Sequence, residues 1–173
     1  RHIDFEIKNM QKFYSLSGLL LAAMLFASVA NDIGWTWIAL EMTTLIVALA
    51  LGVFRRTVAL ESAWNYLIIC SVGLILALMG IAILLVAVGG DINTESGLLF
   101  SSFFKPELVF NPVLVKAAFI FILVGLGTKL ALAPMHAWLP EAIEHSEIPL
   151  AIFLCCALKQ VVFVFLVRLK FIV

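Results

Sequence analysis

Charged residues are scarce in this 173-residue chain and make up 13% of it. Eleven basic and eleven acidic residues cancel, so the chain has neither the basic surface that binds nucleic acid nor an acidic tail. Hydrophobic residues account for 64% and the mean hydropathy is +1.17, values far outside the usual range for soluble domains. The composition therefore excludes nucleic-acid binding and predicts a protein of the lipid bilayer.

Residues that could carry covalent chemistry are also few. The three cysteines form neither a CxxC pair nor a metal-binding spacing, and neighbours such as Cys155 and Cys156 seldom bridge each other. We interpret all three, including Cys70, as small apolar packing residues. Because no serine or cysteine has a plausible base beside it, the sequence predicts no catalytic residue.

Two polar stretches resemble ligand sites only superficially. The segment 125–129 lacks the GxxxxGK[ST] spacing of a phosphate loop and lies inside an apolar run. The histidines and acidic residues of 136–145 fit no helix-face zinc pattern. We therefore expect no cofactor and no metal.

Long apolar runs are what the sequence has in place of charge. Five of them approach the ~20 residues that a helix needs to cross a bilayer. They cover residues 14–30, 33–54, 63–88, 113–133 and 149–167. We predict an all-α, polytopic transmembrane helix bundle of about five spans, forming a single domain over residues 1–173. The polar start of the chain carries no secretory signal, so the first run is interpreted as a span.

Prolines interrupt the chain after the fourth run. Pro134 and Pro140 lack the backbone donor that a helix uses, and irregular backbone at membrane depth is tolerated where protein or water surrounds it. We expect a broken fourth span and then an amphipathic or broken-helix segment over residues 134–147. Residues 89–111 are predicted to form a loop whose apolar patch, residues 98–104, rests at the membrane interface.

Lysine and arginine residues in short loops indicate the orientation. Five of them precede the first span or follow the second: Arg1, Lys8, Lys12, Arg55 and Arg56. Three lie on the opposite side: Lys105, Arg168 and Lys170. The excess favours a start on the cytoplasmic side.

The second run contains an acidic residue, Glu41, about a third of the way along it. A carboxylate at that depth is costly and is expected to be protonated, paired or in contact with water. A purely structural alternative is a carboxylic acid bonded to Thr43 or Thr44. Glu41 is therefore a candidate functional residue.

Small residues recur at helical spacing in the third run, at Gly73, Ala77 and Gly80. Such spacing predicts close contact with another helix. An acidic residue, Glu61, precedes this run and is an accessory candidate.

The fourth run contains an amine, Lys129, ~20 Å along its length, with Gly125 four residues earlier on the same face. Burial disfavours a charged amine and a nearby carboxylate favours it, so an amine balanced between these effects can load and release protons. Lys116, near the start of the run, is expected to snorkel to the interface. Counted from the shared far side, Glu41 is only ~10 Å deep, so a pair needs a tilt, a later start of the fourth span or a bridging water.

Further candidates follow the break. His136 either transfers protons or lies at the membrane surface beside Trp138. Lys159 and Gln160 lie near the middle of the fifth run, and a second deep amine is difficult to explain by packing alone.

Three stretches resemble a known family, the proton-conducting, antiporter-like membrane subunits shared by respiratory complex I, Mrp-type cation/proton antiporters and energy-converting hydrogenases. Residues 30–45, with Trp-Ile-Ala-Leu-Glu-Met, resemble the fifth helix of that family, and residues 56–73 resemble the start of its sixth. Residues 116–140 are similar to its broken seventh helix. The segments Gly-Thr-Lys and Ala-Pro-Met-His most resemble the hydrogenase-4 component F branch.

The resemblance implies that Glu41 is the helix-five glutamate, Lys129 the lysine at the seventh-helix break and His136 the histidine just beyond it. In the family, the glutamate and the lysine form a charge pair whose making and breaking changes the proton affinity of the lysine. Redox chemistry in partner subunits drives this change, so no redox centre is expected in this chain.

The resemblance also implies a setting. We expect a multi-pass protein of the prokaryotic inner membrane, in contact with lipid and with other membrane subunits of a redox or antiporter complex. It would not be an enzyme on its own, but the membrane subunit of an oxidoreductase complex of the hydrogenase or NADH:quinone oxidoreductase type.

The chain departs from the family at several points. Asn65 stands where the family often has lysine, and residues 141–149 replace the family's Asp-Ala-His-Ser-Glu-Ala-Pro. Counting from Trp138 assigns the eighth-helix relay position to Gln160, whereas Lys159 is one residue early, a rotation of ~100°. Lys159 stays a proton-transfer candidate. The accessory candidates are Lys116, Glu61, Gln160 and Glu141.

Family members usually have about fourteen helices, including two inverted five-helix repeats, a general transporter device. This chain resembles helices four to eight, which form one repeat. We expect a fragment, a split gene product or a truncated chain, with the missing remainder supplied by another chain.

The leading interpretation is a proton-translocating subunit with a relay of Glu41, Lys129 and His136. Within transport, the alternative is a sodium/proton antiporter subunit of the Mrp type. A different class is a structural assembly subunit with an inactive proton path. A quinone-binding subunit, with Trp138 and His136 at a head-group site, is a further alternative.

Overall fold

The computed structural model describes residues 2–54, 57–87, 99–104 and 111–171. Its helices are α1 (His2–Val29), α2 (Ile33–Gly52), α3 (Thr57–Ala87), α4 (Pro112–Lys129), α5 (Trp138–Glu144) and α6 (Ile148–Lys170). A short 3₁₀ helix, Phe100–Phe104, precedes α4, and one π-helical turn, Phe153–Ala157, lies within α6. Within these ranges no strand occurs.

Five helices, α1 to α4 and α6, are long and apolar enough to cross a membrane. The predicted all-α bundle of five spans with a broken fourth span is confirmed. The helix bounds differ from the apolar runs, because α1 begins at His2 and α3 at Thr57, upstream of the runs at 14 and 63. Hydropathy marks the part of a helix that lies in lipid, whereas backbone hydrogen bonding continues into polar sequence.

The helices alternate in direction across the bundle. We call the end where α1, α3 and α6 begin the first end, and the end where α2 and α4 begin the second end. At the second end, Arg168 of α6 donates hydrogen bonds to Ser28 O at 2.6 Å and Ala30 O at 2.9 Å, just after α1. The guanidinium therefore satisfies carbonyls that a helix terminus leaves without partners.

The expected interfacial patch is packed differently. Phe100 and Phe103 are buried in the bundle core, and Phe100 N–H donates to Asn31 O at 2.9 Å. The prediction that these two rings rest at the interface is wrong, because the α1–α2 turn supplies a backbone partner that holds them inside. The rest of the predicted loop, residues 89–98 and 105–110, lies outside the described residues, as do Arg1, Arg55, Arg56 and Lys105.

The predicted close contact of α3 is confirmed, and its partner is α4. A Cβ atom added at Gly125 would lie 2.5 Å from Gly73 O and 2.8 Å from Ala77 Cβ. One added at Gly80 would lie 2.7 Å from Ala118 O. Only glycine fits at these two positions, because the backbones of α3 and α4 nearly touch there.

Gly125→Ala is expected to destabilise the bundle by about 1–3 kcal/mol, the usual range for overpacking. The added methyl group meets backbone atoms of α3, which cannot move unless the two helices separate. Thermal unfolding of the detergent-solubilised protein measures the effect. Gly18→Ala is the matched control, because a Cβ there meets nothing within 4 Å; an unchanged midpoint in Gly125→Ala would contradict the contact.

The apolar core has two parts with polar residues between them. Toward the second end, Leu40, Leu74 and Leu126 belong to one cluster of buried residues. Toward the first end, Val47 and Tyr66 belong to another. The polar side chains of α2, α3 and α4 that form the candidate site lie between these clusters.

Candidate functional site

The fourth span ends at Lys129 in a defined hydrogen-bond pattern. Leu132 N–H donates to Gly127 O at 2.9 Å and Ala131 N–H donates to Thr128 O at 3.1 Å, with Ala131 at φ 55°. This is the Schellman arrangement, in which a left-handed residue closes a helix, although glycine is usual at that position. Lys129 consequently occupies the last helical position, where the helix dipole favours a cation.

Lys129 is fully buried, and its amine contacts α2. Nζ donates to Leu40 O and to Thr44 Oγ1, each at 2.5 Å. Leu40 and Thr44 are four residues apart and so lie on one face of α2. The amine therefore joins the end of α4 to the middle of α2.

Glu41 lies between α2 and α3 and is half-buried. Its Oε1 accepts a hydrogen bond from Ser71 Oγ at 2.8 Å, whereas its Oε2 is buried and has no hydrogen-bond partner in the described part of the chain. The bond that the structural alternative assigned to Thr43 or Thr44 is thus made by Ser71, because both threonine hydroxyls donate to Leu40 O.

Glu41 and Lys129 make no direct hydrogen bond in the described part of the chain, but they meet at adjacent residues of α2. The acceptor of the amine, Leu40 O, belongs to the residue next to Glu41. The difference in depth that the sequence suggested for Glu41 and Lys129 is explained by the lengths of the helices, because α3 and α4 extend beyond α2 at the second end. Ser71, which bonds to Glu41, lies ~24 Å along α3 from Ala87, whereas Glu41 is only ~12 Å from the start of α2.

Two buried polar residues of α3 near this site were missed from the sequence. Tyr66 is fully buried and its hydroxyl has no hydrogen-bond partner among the described residues. Cys70, one turn further along α3, is also buried. Only their position, one to two turns before Gly73 on the same face, could have indicated them.

Trp138, the first residue of α5, holds the segment that follows α4 against the bundle. Its indole Nε1 donates to Thr128 O at 2.9 Å, and its ring packs against that of Tyr66 with centroids 4.9 Å apart. In an uninterrupted helix, Thr128 O would accept from the N–H four residues later. The indole is thus a second donor to Thr128 O, in addition to the N–H of Ala131.

Trp138→Phe is expected to destabilise the protein by about 1 kcal/mol, because the phenyl ring keeps the packing but removes the bond to Thr128 O. The midpoint of thermal unfolding should fall, whereas Trp64→Phe, at an exposed position of α3, should leave it unchanged. Equal midpoints for the two variants would show that the indole bond contributes nothing.

The structure does not bring His136 to Lys129. His136 is exposed in the turn between α4 and α5, and within the described ranges its side chain makes no hydrogen bond. Pro134 and Pro140 are also exposed, and the Ala133–Pro134 peptide bond is cis.

The other candidates lie away from the buried amine. Lys159 is half-buried on α6 and Gln160 beside it is exposed. Three accessory candidates are exposed: Lys116, Glu61 and Glu141. The carboxylate of Glu141 accepts from Asn65 Nδ2 at 2.9 Å, so the residue that replaces the lysine of the family pattern contacts α5 instead.

A second polar contact lies at the first end. His145 Nδ1 is 3.0 Å from Ser62 Oγ and 2.9 Å from Glu141 O. Because a carbonyl oxygen only accepts, we assign the proton to Nδ1. The contact joins the turn after α5 to the first turns of α3.

The described residues contain no group of three ligands that could hold a metal ion. Cys155 and Cys156 are exposed on the π-helical turn, whereas Cys70 is buried. An apolar helix in a membrane places such residues toward lipid or neighbouring chains as readily as inside.

Known proteins resemble this chain along most of its length. The family described as NADH:quinone oxidoreductase/Mrp antiporter, TM, matches residues 30–173. A hydrogenase-4 component F homolog of Methylacidiphilum infernorum (isolate V4) is 33% identical over 178 residues, which cover 98% of this chain and 37% of that protein. NADH-quinone oxidoreductase subunit N of Desulforudis audaxviator (strain MP104C) is 30% identical over 154 residues, 89% of this chain and 29% of the relative.

A solved structure shares the fold. A chain of respiratory complex I from Thermus thermophilus, with bound aureothin, superposes with a TM-score of 0.76 at 27% identity, covering 91% of this chain and 34% of that chain. The present chain thus spans about a third of the length of the proteins it matches. It is a multi-pass membrane protein, and it belongs to the NADH:quinone oxidoreductase/Mrp antiporter transmembrane family.

Proposed function

We propose that this chain is a proton-translocating, antiporter-like membrane subunit, or part of one, in which Glu41, Lys129 and His136 relay protons. The observation that carries the proposal is the fully buried Lys129 amine, held at the end of a broken span beside Glu41. A titratable amine at that position can carry a proton through an apolar bundle that otherwise excludes charge.

In this proposal the amine alternates between two environments. In one, Nζ bonds to Leu40 O and Thr44 Oγ1, neutral acceptors on α2. In the other, it pairs with the Glu41 carboxylate, one residue away on the same helix. Pairing favours the charged amine and separation favours release of its proton. A change of rotamer would thus alternate proton loading and release.

His136 and Lys159 have separate roles in this proposal. His136, exposed after the break, would exchange protons with the surroundings, and Lys159 on α6 would pass them toward a neighbouring unit. Glu141, Glu61, Lys116 and Gln160 are accessory at most. The partners are other membrane subunits of a hydrogenase-type or NADH:quinone oxidoreductase-type complex in a prokaryotic inner membrane, and the chain would not be catalytic alone.

The test is proton translocation by the intact assembly. The assembly is purified through a tag on this chain, its subunits are identified, and it is reconstituted into liposomes that contain a pH-sensitive dye. Addition of the electron donor of the copurifying redox subunit should acidify or alkalinise the lumen, and a protonophore should abolish the change. Electron transfer without proton movement would contradict the proposal, and strict dependence on Na⁺ would favour the antiporter alternative.

A further inference from the structure

A line of buried polar side chains leads from the first end of the bundle to Lys129. Ser62, Tyr66 and Cys70 follow one another at intervals of four residues on α3, and all three are buried. Such spacing places them on one helix face, one above the next, over ~12 Å. The surrounding core is apolar, so packing against it does not explain why polar side chains occupy this face.

Both ends of this line have polar partners. At the first end, Ser62 Oγ contacts His145 Nδ1 at 3.0 Å. At the inner end, the ring of Tyr66 packs against that of Trp138, whose indole donates to Thr128 O, next to Lys129. The line therefore connects a half-buried imidazole near the surface with the buried amine and carboxylate.

Two atoms along the line are unusual for a protein interior. The hydroxyl of Tyr66 and Oε2 of Glu41 are both buried and lack hydrogen-bond partners in the described ranges. Burying an unpartnered polar group costs free energy, and such groups in native proteins generally mark a bound water or a functional role. Packing alone would be served better by phenylalanine at position 66.

We propose that His145, Ser62 and Tyr66 form the path by which protons reach Lys129 from the first end, an inference that rests on the proposed proton translocation. The imidazole accepts a proton on Nε2 from water and releases the Nδ1 proton to Ser62 Oγ. The Ser62 hydroxyl rotates from its acceptor, Val58 O, and passes its own proton on. Water molecules complete the steps to the Tyr66 hydroxyl and from there to the neutral amine of Lys129.

Each carrier in this path ends with the protons it began with. The histidine, the serine, the tyrosine and the intervening waters each gain one proton and lose one, and the amine becomes an ammonium. Reorientation of the hydroxyls and a change of tautomer at His145 restore the path for the next proton. No electron transfer or other reactant is involved.

Tyr66→Phe is the decisive substitution, since it removes only the unpartnered hydroxyl and keeps the ring against Trp138. In the intact assembly we expect proton translocation to fall at least about tenfold, in keeping with the effect of losing a positioned proton-transfer group. The thermal midpoint should be equal to or higher than that of the wild type. Tyr14→Phe, at the other tyrosine of the chain, which is exposed, should change neither translocation nor the thermal midpoint.

Ser62→Ala provides a second measurement along the same path. His145 Nδ1–H keeps Glu141 O as an acceptor, so the fold should persist while translocation falls several-fold. Ser17→Ala is its control, because that hydroxyl bonds only within its own helix, to Phe13 O. Rescue of translocation by Ser62→Thr would support the role of a hydroxyl at this position.

Translocation within twofold of the wild type in Tyr66→Phe would overturn the path. A parallel fall of translocation and thermal midpoint would also overturn it, because the hydroxyl would then serve the fold. The wild-type assembly and Lys129→Met separate this result from the proposed function. If the wild type moves no protons, the function fails; if it does and only Tyr66→Phe behaves normally, the path alone fails.

Discussion

Lys129→Met is expected to abolish proton translocation, reducing it to the passive leak of the membrane. Methionine fills the space of the buried side chain but cannot carry a proton. Electron transfer in the partner subunits should continue when a protonophore removes the back-pressure of the proton gradient. The measurement is dye-detected proton movement in liposomes, paired with the rate of donor oxidation in the same sample.

The variant should still fold, which makes the test informative. Leu40 O loses the amine but keeps the hydroxyls of Thr43, at 2.7 Å, and Thr44, at 3.2 Å, as donors. Glu41 keeps its hydrogen bond from Ser71 Oγ, and the amine bonds to Leu40 O rather than to that carboxylate, so the substitution breaks no hydrogen-bonded ion pair. Lys12→Met, at an exposed position of α1, is the control and should translocate normally. Undiminished translocation by Lys129→Met would refute the proposed function.

Glu41→Gln is expected to slow translocation by about tenfold to a hundredfold, the range seen when a proton-transfer group is lost. The glutamine carbonyl can still accept from Ser71 Oγ, so the contact between α2 and α3 persists. The negative charge is lost, and with it the environment in which the amine is favoured as ammonium. Donor oxidation and proton movement are measured as for Lys129→Met.

Glu6→Gln is the control for this substitution, because that carboxylate is exposed on α1. Normal coupling in both single variants, with loss of assembly on deletion of the chain, would favour the structural alternative.

The five spans could be predicted because the bilayer imposes a length on apolar sequence. The helix bounds could not, since α1 and α3 continue into polar segments where hydropathy carries no signal. The break after the fourth span was predictable from Pro134, although the helix in fact ends earlier, in the left-handed turn at Ala131. That conformation is uncommon for alanine and is not indicated by the residue type.

The site could be predicted only in part. Glu41 and Lys129 were identified because ionisable residues within apolar runs are rare. Their partners were not, because Leu40 O and Ser71 Oγ depend on how far α3 and α4 extend beyond α2. Tyr66 was missed because a single hydroxyl in an apolar helix is common. Its functional role is indicated only by the burial of the hydroxyl without a hydrogen-bond partner, which the sequence does not reveal.

The close contact between α3 and α4 determines which parts of this site can move. At Gly80 and Gly125 the two backbones are so near that a slide of one helix along the other would drive side chains into main-chain atoms, and Gly73 leaves room only for the side chain of Thr128. The hairpin of α3 and α4 therefore behaves as one rigid body, and the Cα atom of Lys129 is fixed relative to Tyr66 and Ser71. Spin labels on the two helices should accordingly report one unchanging distance throughout turnover, with all switching confined to side-chain torsions and to the segment beyond residue 129.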